Sequence, residues 1–331
     1  MKLSCLDLRT TDAAFNLAAE QYVFDNLPQN RSYFMLWQND RSVIVGKYQN
    51  TLAEINEHYI NQHRIPVVRR LSGGGAVYHD LGNLNFTFVT DAASFSSLDF
   101  RLFCMPVIRS LAKLGVKAEL NGRNDMTIDG RKFSGNAQYL RHGRVMHHGT
   151  ILFSSDLSAV SQALRVDENK FCSKATKSVR SRVTNVADHL PSPVTLEEFR
   201  RLLLADISRE NDGTPFSFSA QALAAIEALR DQRYSTWAWN YGSSPKCEIR
   251  HRARIEGCGL LDIHMSVTHG VISDLHFYGD FFSLLEPDIL AARLIGCPAN
   301  ASAYEKALEN VDVSQYFVGL DQDTLLRILL S

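Results

Sequence analysis

The stretch RRLSGGGAVYHDLGNLNF, residues 69–86, combines two arginines, three consecutive glycines and an alternating pattern typical of a β-strand. Arginine presents a planar fork of N–H donors that matches carboxylate and phosphate oxygens. Consecutive glycines let the backbone take positive φ and bring its N–H groups close to an anion. Neither GxxxxGKS/T nor a GxGxxG that opens a helix is present. The stretch therefore predicts either a wide turn between strands or a phosphate-binding loop of another type.

A second segment, NGRNDMTIDGRKFSGNAQYLRHGRVMHHGTILF at residues 121–153, predicts consecutive β-hairpins with turns at Asp129-Gly130 and His142-Gly143. Lys132 follows the first turn. Strand alternation places Lys132 and Ser134 on one face, with Phe133 on the other face against apolar packing. A lone hairpin lysine is usually solvated, but one that lies beside an anion-binding loop can reach into a cleft.

Five motifs in this order, RRLSGGGAVYHDLGNLN, GRND, DGRKFSGNAQ, HHGTILFSSDL and KSVRSRVTNV, closely resemble the lipoate-protein ligase A family. The segment around HFYGDFF, residues 276–282, is similar to the accessory C-terminal domain of the family's long members. The resemblance implies an α+β fold of the biotin/lipoate protein ligase (class II synthetase-like) type, with a mixed sheet flanked by helices and a small α+β C-terminal domain. A junction near Ser244 predicts a catalytic domain at 1–244 and an accessory domain at 245–331. The accessory domain is expected to orient or gate the catalytic domain.

The resemblance also implies a two-step ligation with ATP and Mg²⁺, with lipoate as substrate and without a bound redox cofactor. Lipoate and ATP give lipoyl-adenylate and pyrophosphate, and a lysine of a lipoyl carrier domain then forms an amide. The carrier is the glycine-cleavage H protein, an E2 subunit of a 2-oxoacid dehydrogenase, or both. Octanoate is a possible substitute, because a pocket for a carboxylate and an alkyl chain discriminates the distal end only modestly.

Matched residue by residue, the resemblance gives Lys132 the catalytic role of bridging the lipoate carboxylate and the α-phosphate while staying protonated. Asp125 is the candidate magnesium ligand, since magnesium prefers oxygen ligands and keeps several waters; a turn or strand-entry role is the alternative. The other residues expected to bind ATP or lipoyl-adenylate are Arg70, Ser72, Gly75, Ala76, Val77, Tyr78, His79, Asn83, Asn124, His148 and Gly149, with Thr150 beside them.

Other interpretations share the fold. Octanoyl and lipoyl transferases use a cysteine thioester, and Cys172 is the candidate nucleophile, although no PCG-like turn surrounds it. A non-catalytic lipoate-binding protein has less need of Lys132, because a cation placed where two anions meet serves catalysis. Biotin ligase stays possible from the fold alone. A zinc site at His79, His147 and His148 is not expected, because no cysteine or carboxylate lies at zinc-site spacing.

Composition narrows the functional class. The 35 basic and 36 acidic residues leave the chain without the basic excess of a nucleic-acid-binding protein. The basic run Lys174, Lys177, Arg180 and Arg182 is expected to cover the adenylate against water. There is no signal-like N-terminal segment and no apolar run approaching about 18 residues. Six cysteines without CxxC pairs are typical of free thiols. We expect a cytoplasmic monomer that binds neither nucleic acid nor membrane.

Apolar periodicity and turn residues predict the elements around these motifs. Helices are expected at 12–27, 52–62 and 98–114, across most of 156–229, and from 286 onward. Strands are expected at 33–37, 42–45 and 83–89, and in a meander at 247–255, 259–267 and 271–278 with a turn at His269-Gly270.

Overall fold

The computed structural model describes residues 2–49, 51–91, 99–122, 124–164, 183–241, 249–268 and 271–330. Its first part contains β1 (Leu3–Asp7), β2 (Ser32–Trp37), β3 (Ser42–Val45), β4 (Val67–Arg69), β5 (Val77–His79), β6 (Asn83–Asp91), β7 (Ala118–Asn121), β8 (Asp125–Ile128), β9 (Arg131–Arg141), β10 (Arg144–Leu152) and β11 (Thr214–Pro215). Within the described ranges, eight of them form one mixed sheet in the order β11-β1-β2-β6-β10-β9-β8-β7. A smaller sheet has the order β4-β3-β5.

The helices of this part are α1 (Ala13–Asn26), α2 (Thr51–Glu54), α3 (Glu57–Gln62), α4 (Arg101–Lys113), α5 (Leu157–Ala163), α6 (Leu196–Glu210), α7 (Ala220–Leu229) and α8 (Trp237–Asn240). The predicted start of α1 is confirmed, because the Asp12 side chain accepts from the N–H groups of Ala14 and Phe15. The single helix predicted at 52–62 is wrong. Ile55 forms a β-bridge with Leu164, and Asn56 starts a separate helix by capping α3.

The large sheet has two differently covered faces. On one face, α4 and α6 pack against the alternating strand residues Leu84, Phe86 and Phe88, as predicted for β6. The other face receives α1 and the small sheet, with Leu17 and Met35 in the core between them. Strand alternation gives this second face the polar residues of β6, which are Asn83, Asn85 and Thr87. The candidate site lies on this second face.

Both predicted hairpin turns are confirmed. Asp129 and Gly130 have φ of 51° and 72°, and His142 and Gly143 have φ of 51° and 69°. Positive φ at both central residues is the type I′ geometry that matches the twist of antiparallel strands. These turns connect β8, β9 and β10 in sequence and so bring Lys132 to the same sheet as β6.

The last part of the chain is a small α+β unit. It contains β12 (Ile249–Ile255), β13 (Gly259–Thr268) and β14 (Val271–Gly279), followed by α9 (Pro287–Leu294), α10 (Ala301–Ala307) and α11 (Gln322–Leu329). Its antiparallel strands form the predicted meander, and it has a separate apolar core that includes Ile263, Phe277, Leu290 and Phe317. The α+β class is therefore confirmed. The predicted boundary near Ser244 and the turn at His269-Gly270 lie outside the described residues, and the boundary stays a prediction.

The two parts meet at the glycine loop, residues 73–75. The Gly74 N–H donates to the Phe281 carbonyl at 3.3 Å. Tyr48 stacks on the Phe281 ring with centroids 4.9 Å apart, and Lys47 Nζ lies 2.5 Å from Glu286 Oε2. The accessory part thus contacts the loop that the sequence identifies as central.

Within the described ranges, no helix has both the length and the apolar character needed to cross a bilayer.

Candidate active site

A cleft of about 610 Å³, including its open mouth, lies between the second face of the large sheet and the glycine loop. Nine of the residues predicted from sequence line it: Arg70, Gly75, Ala76, Val77, His79, Asn124, Lys132, His148 and Gly149. Thr150, which was predicted beside them, also lines the cleft, and the lining residues outside the predicted set are Leu17, Trp37, Ile44, Gly74, Asn85, Gly135, Asn136 and Ala137. The structure thus brings both motif segments to one cleft.

Lys132 extends along the cleft at its more open side, where its side chain is 40% exposed. Its Nζ lies 2.7 Å from Asp125 Oδ1 on the neighbouring strand. Register shifts between Met126 and Thr127, so that Lys132 pairs with Thr127, Ser134 pairs with Met126, and Phe133 is a bulge residue between them. The Lys132 ammonium, paired with a carboxylate at the cleft mouth, can exchange this partner for an anionic ligand.

The bulge corrects the predicted faces of this strand. A Cβ atom at Gly135 would lie 2.9 Å from Lys132 Nζ, so Lys132 shares its face with Gly135. Ser134 instead accepts a hydrogen bond from Asn136 and is buried. Phe133 packs in the core as expected. Simple alternation fails here because an inserted bulge residue reverses the face of the residues that precede it.

Arg70 organises the glycine loop from beneath. Its Nη2 donates to the carbonyl oxygens of Gly73 and Gly75 at 2.7 and 2.8 Å, and its Nε donates to Ser72 Oγ. Burial lowers the pKa of Arg70 to about 10, which still leaves it charged at neutral pH. Arg70 therefore brings a fixed positive charge to the cleft wall and shapes the loop with the same side chain.

Arg69 does not bind in the cleft as the motif suggests, but holds the backbone around it. Its guanidinium donates to backbone carbonyls on both sides, including those of Gly46, Gln49 and Asn240. It does not line the cleft. Arg69 thus anchors α8 and the loop after β3, and only the second arginine of the pair faces the site.

A buried polar chain supports the wall around His148. Its Nδ1 lies 3.0 Å from Glu20 Oε1, and its Nε2 lies 2.5 Å from Ser72 Oγ. Glu20 also accepts from Thr87 Oγ1 at 2.5 Å, and Thr87 lies opposite His148 in the sheet. Ser72 is 1% exposed and also accepts from Arg70, so it acts as a link in the chain and not as an accessible nucleophile.

Glu20 was missed by sequence reasoning. It is 2% exposed on α1, one turn after Leu17, and a carboxylate at a core-facing helix position is the signal that could have found it. Asn85 was missed as well, although polar residues alternate with Leu84 and Phe86 along the strand.

Four predicted residues do not line the cleft. Tyr78 points into the small-sheet core beside Val43, where burial raises the pKa of its hydroxyl to about 12. Ser72 and Asn83 lie behind the wall, bonded to other cleft residues. Asp125 reaches the site through its ion pair with Lys132. Gly149 does line it, but a Cβ there would lie 2.2 Å from Asn136 Oδ1, so packing also requires this glycine.

Among the described residues, no cysteine lines the cleft. Cys104 Sγ lies 3.9 Å from His147 Nε2, but both are buried on the opposite face of the sheet. Burial raises the pKa of Cys104 to about 12, which keeps it a thiol. Cys172 and the basic run Lys174, Lys177, Arg180 and Arg182 lie outside the described residues. Among those that are described, no group of three or more His, Cys, Asp or Glu could hold a metal.

Comparison with known proteins places this site in a family. Residues 12–208 match the model of the lipoyl protein ligase A/B catalytic domain, and residues 244–329 match that of the bacterial lipoate protein ligase C-terminus. The chain therefore belongs to the lipoyl protein ligase family.

Individual relatives are similar over nearly the whole chain. The chain is 42% identical to lipoate–protein ligase 1 of Staphylococcus aureus, over 96% of this chain and 97% of the relative. Among solved structures, the bipartite lipoate protein ligase of Thermoplasma acidophilum, described with its E2 lipoyl domain, is 31% identical with a TM-score of 0.66, covering 75% of this chain and all of that one. A lipoate-protein ligase A bound with ATP is 29% identical with a TM-score of 0.62, covering 73% and 99%.

Proposed function

We propose that this protein is an ATP-dependent lipoate–protein ligase, which converts lipoate to lipoyl-AMP and transfers the lipoyl group to a lysine of a lipoyl carrier domain. The observation that carries the proposal is the ammonium of Lys132 at the mouth of a cleft whose wall includes Leu17, Trp37 and Ile44. An apolar wall suits an acyl chain, and a cation at its open end suits the carboxylate. The name of the Staphylococcus aureus relative and the ATP in the solved ligase A support it.

In the first step, a carboxylate oxygen of lipoate attacks the α-phosphorus of ATP, and pyrophosphate leaves with the electrons of the broken P–O bond. Two anions must approach each other for this, so a fixed cation between them lowers the barrier. Lys132 fills this role as a positive charge and not as a nucleophile. Asp125, 2.7 Å away, holds the ammonium in place before the substrates arrive.

We infer that Mg²⁺ accompanies the nucleotide. Magnesium in nucleotide sites is commonly bound by one or two carboxylates together with phosphate oxygens and water. A single carboxylate, Asp125, next to Lys132 fits that pattern, and Asn124 lines the same end of the cleft. When bound, the ion would supply additional positive charge to the phosphates.

In the second step, the neutral amine of the carrier lysine attacks the lipoyl carbonyl, the amide forms, and AMP leaves. The E2 lipoyl domain described with the Thermoplasma ligase supports an E2 domain as the carrier class. The H protein as a second carrier, and a cytoplasmic monomer as the working form, remain predictions from the sequence.

The test is pyrophosphate release from ATP and lipoate, with mass spectrometry of an apo lipoyl domain. The wild type is expected to consume ATP and add one lipoyl group. Lys132→Ala should lose about 3 kcal/mol or more of transition-state stabilisation, a hundredfold or greater fall in rate, as for removal of one electrostatic group in other active sites. Lys117→Ala, at an exposed position outside the cleft, is the matched control and should be normal.

Cys172→Ser separates the ligase from the thioester transferase. A ligase tolerates this change, since no acyl-enzyme forms. Acyl transfer between carriers without ATP, abolished in Cys172→Ser, would replace the ligase assignment by the transferase.

A further inference from the structure

The cleft runs across the strands. Trp37 on β2 lies opposite Asn85 on β6, and Asn85 lies opposite Thr150 on β10. Thr150 Oγ1 accepts from the N–H of Gly135 on β9 at 3.2 Å. Adjacent strands are about 4.8 Å apart, so the three intervals separate the Trp37 end from the Lys132 end by about 14 Å. A bound acid with its carboxylate at Lys132 therefore places its far end beside Trp37.

His79 lies at this far end and is 2% exposed, with its ring 6.1 Å from the Trp37 ring. Its Nδ1 is 3.1 Å from Asn39 Nδ2. Burial lowers the pKa of His79 to about 3, so the ring is neutral at pH 7 and carries a single N–H.

The hydrogen bonds of the neighbours determine which ring nitrogen carries that proton. Asn16 Nδ2 donates to the carbonyl oxygens of Thr10 and Gln38, which can only accept. The same Nδ2 lies 2.9 Å from Asn39 Oδ1, so the other amide atom of Asn39, an N–H donor, faces His79. His79 Nδ1 must accept, and its proton is on Nε2, the nitrogen on the far side of the ring from Asn39.

Nε2 is buried and has no hydrogen-bond partner among the described residues. Asn85, which also lines the cleft, has an unpartnered buried Nδ2 within the same described set. A buried N–H without an acceptor is costly, and such groups call for an explanation. Leu17, Trp37 and Ile44 supply apolar surface to the same cleft.

We propose that His79 Nε2–H donates to a ring sulfur of the bound acid and so makes the site selective for a dithiolane-bearing chain over the matching hydrocarbon. The inference rests on the proposed function for the orientation of the acid. Sulfur is a weak, polarisable acceptor that tolerates apolar surroundings. A hydrocarbon of the same shape fills the same space but leaves the N–H unpaired, which is the arrangement that produces discrimination between near-isosteric substrates.

The test compares lipoate with 5-cyclopentylpentanoate, which keeps the five-membered ring and chain but replaces both sulfurs by carbon. Dissociation constants come from calorimetry with each acid alone, and kcat/KM comes from pyrophosphate release. The wild type should favour lipoate about tenfold in both, the size expected when one buried donor loses its acceptor.

In His79→Phe the preference ratio should fall to near one, because phenylalanine keeps an aromatic ring but has no donor. His79→Gln, whose amide N–H can approach the position of Nε2, should restore part of the ratio. His63→Phe, an exposed histidine outside the cleft, is the matched control. Cooperative thermal unfolding of each variant shows that the comparison is made on folded protein.

An unchanged ratio in folded His79→Phe, or a wild type without preference, would overturn the inference. A wild type that binds lipoate preferentially but releases no pyrophosphate would count against the proposed function instead, since the calorimetric ratio needs no ATP.

Discussion

Asp125 and Lys132 form one ion pair at the cleft mouth, with 2.7 Å between Oδ1 and Nζ. The carboxylate has two separable tasks in the proposed reaction. It holds the lysine side chain, and it offers an oxygen to magnesium. The two tasks give different kinetic signatures when the charge is removed.

Asp125→Asn is expected to raise the Mg²⁺ concentration needed for half-maximal pyrophosphate release by about tenfold, since an amide is a weaker ligand than a carboxylate. A magnesium titration of initial rates measures this. Asp129→Asn is the matched control, because Asp129 is 77% exposed at a turn with φ of 51°, which asparagine also adopts. A fall in kcat without a change in the magnesium requirement would assign Asp125 to holding Lys132 alone.

Single residues differ in how far sequence could reveal them. The presence of Lys132 in the cleft was predictable, because its turn and motif are local. Arg69 and Arg70 are adjacent and chemically identical, yet only Arg70 faces the cleft. Which arginine faces inward depends on how β4 pairs with β3 and on the backbone carbonyls that Arg69 reaches, and no local pattern encodes that. Glu20 lies 128 positions from His148, and only tertiary packing brings the two together.

The backbone conformation of β9 was also only partly predictable from the sequence. Alternation correctly predicted that Phe133 is buried, but the bulge at Phe133 moved Lys132 onto the face of Gly135. Both hairpin turns were predictable, since Asp-Gly and His-Gly supply the two positive φ values on the spot. The bulge has no comparable residue signature, because it is one extra residue, Phe133, whose position depends on how β9 pairs with β8.

Gly135→Ala tests this geometry. The new Cβ would displace the end of the Lys132 side chain, which is flexible, so the free energy of unfolding should change by about 1 kcal/mol or less. The kcat/KM for pyrophosphate release should fall by about ten- to a hundredfold, because the ammonium is moved by about 1 Å.

Gly149→Ala, at a buried position, is the contrasting variant. Its Cβ would lie 2.2 Å from Asn136 Oδ1 and 2.5 Å from Phe86 Cε1, so the free energy of unfolding should drop by about 1–3 kcal/mol. Urea unfolding of both variants measures this difference in the free energy of unfolding. A Gly135→Ala protein with normal kcat/KM would contradict the position assigned to Lys132.

Across the whole molecule, buried histidines determine how stability responds to pH. Burial lowers the pKa of His79 to about 3, and burial lowers the pKa of His147 well below its usual value. An unfolded histidine has a pKa of about 6.5. Below that value the unfolded chain binds protons that the folded chain does not, so the free energy of unfolding falls as pH falls from about 6.5 toward 3.

Each such histidine contributes up to about 1.4 kcal/mol per pH unit in that window. Urea titrations at pH 7, 6 and 5 should show the loss, and His147→Gln should show a smaller slope than the wild type. Stability that stays constant from pH 7 to pH 5 would mean that these rings are not held neutral.

The fold of the whole chain was predictable as a class because both motif segments and the accessory segment are long and distinctive. The arrangement of the two parts was not, since it depends on contacts such as the one between Gly74 and Phe281. A Cβ at Gly73 would lie 2.2 Å from the Phe281 carbonyl oxygen, a main-chain atom that cannot rotate aside. One side of this row of glycines lines the cleft, and the other side contacts the C-terminal part of the chain at Phe281. Replacing Gly73 would therefore push the two parts away from each other, even though no atom of the substrate is touched.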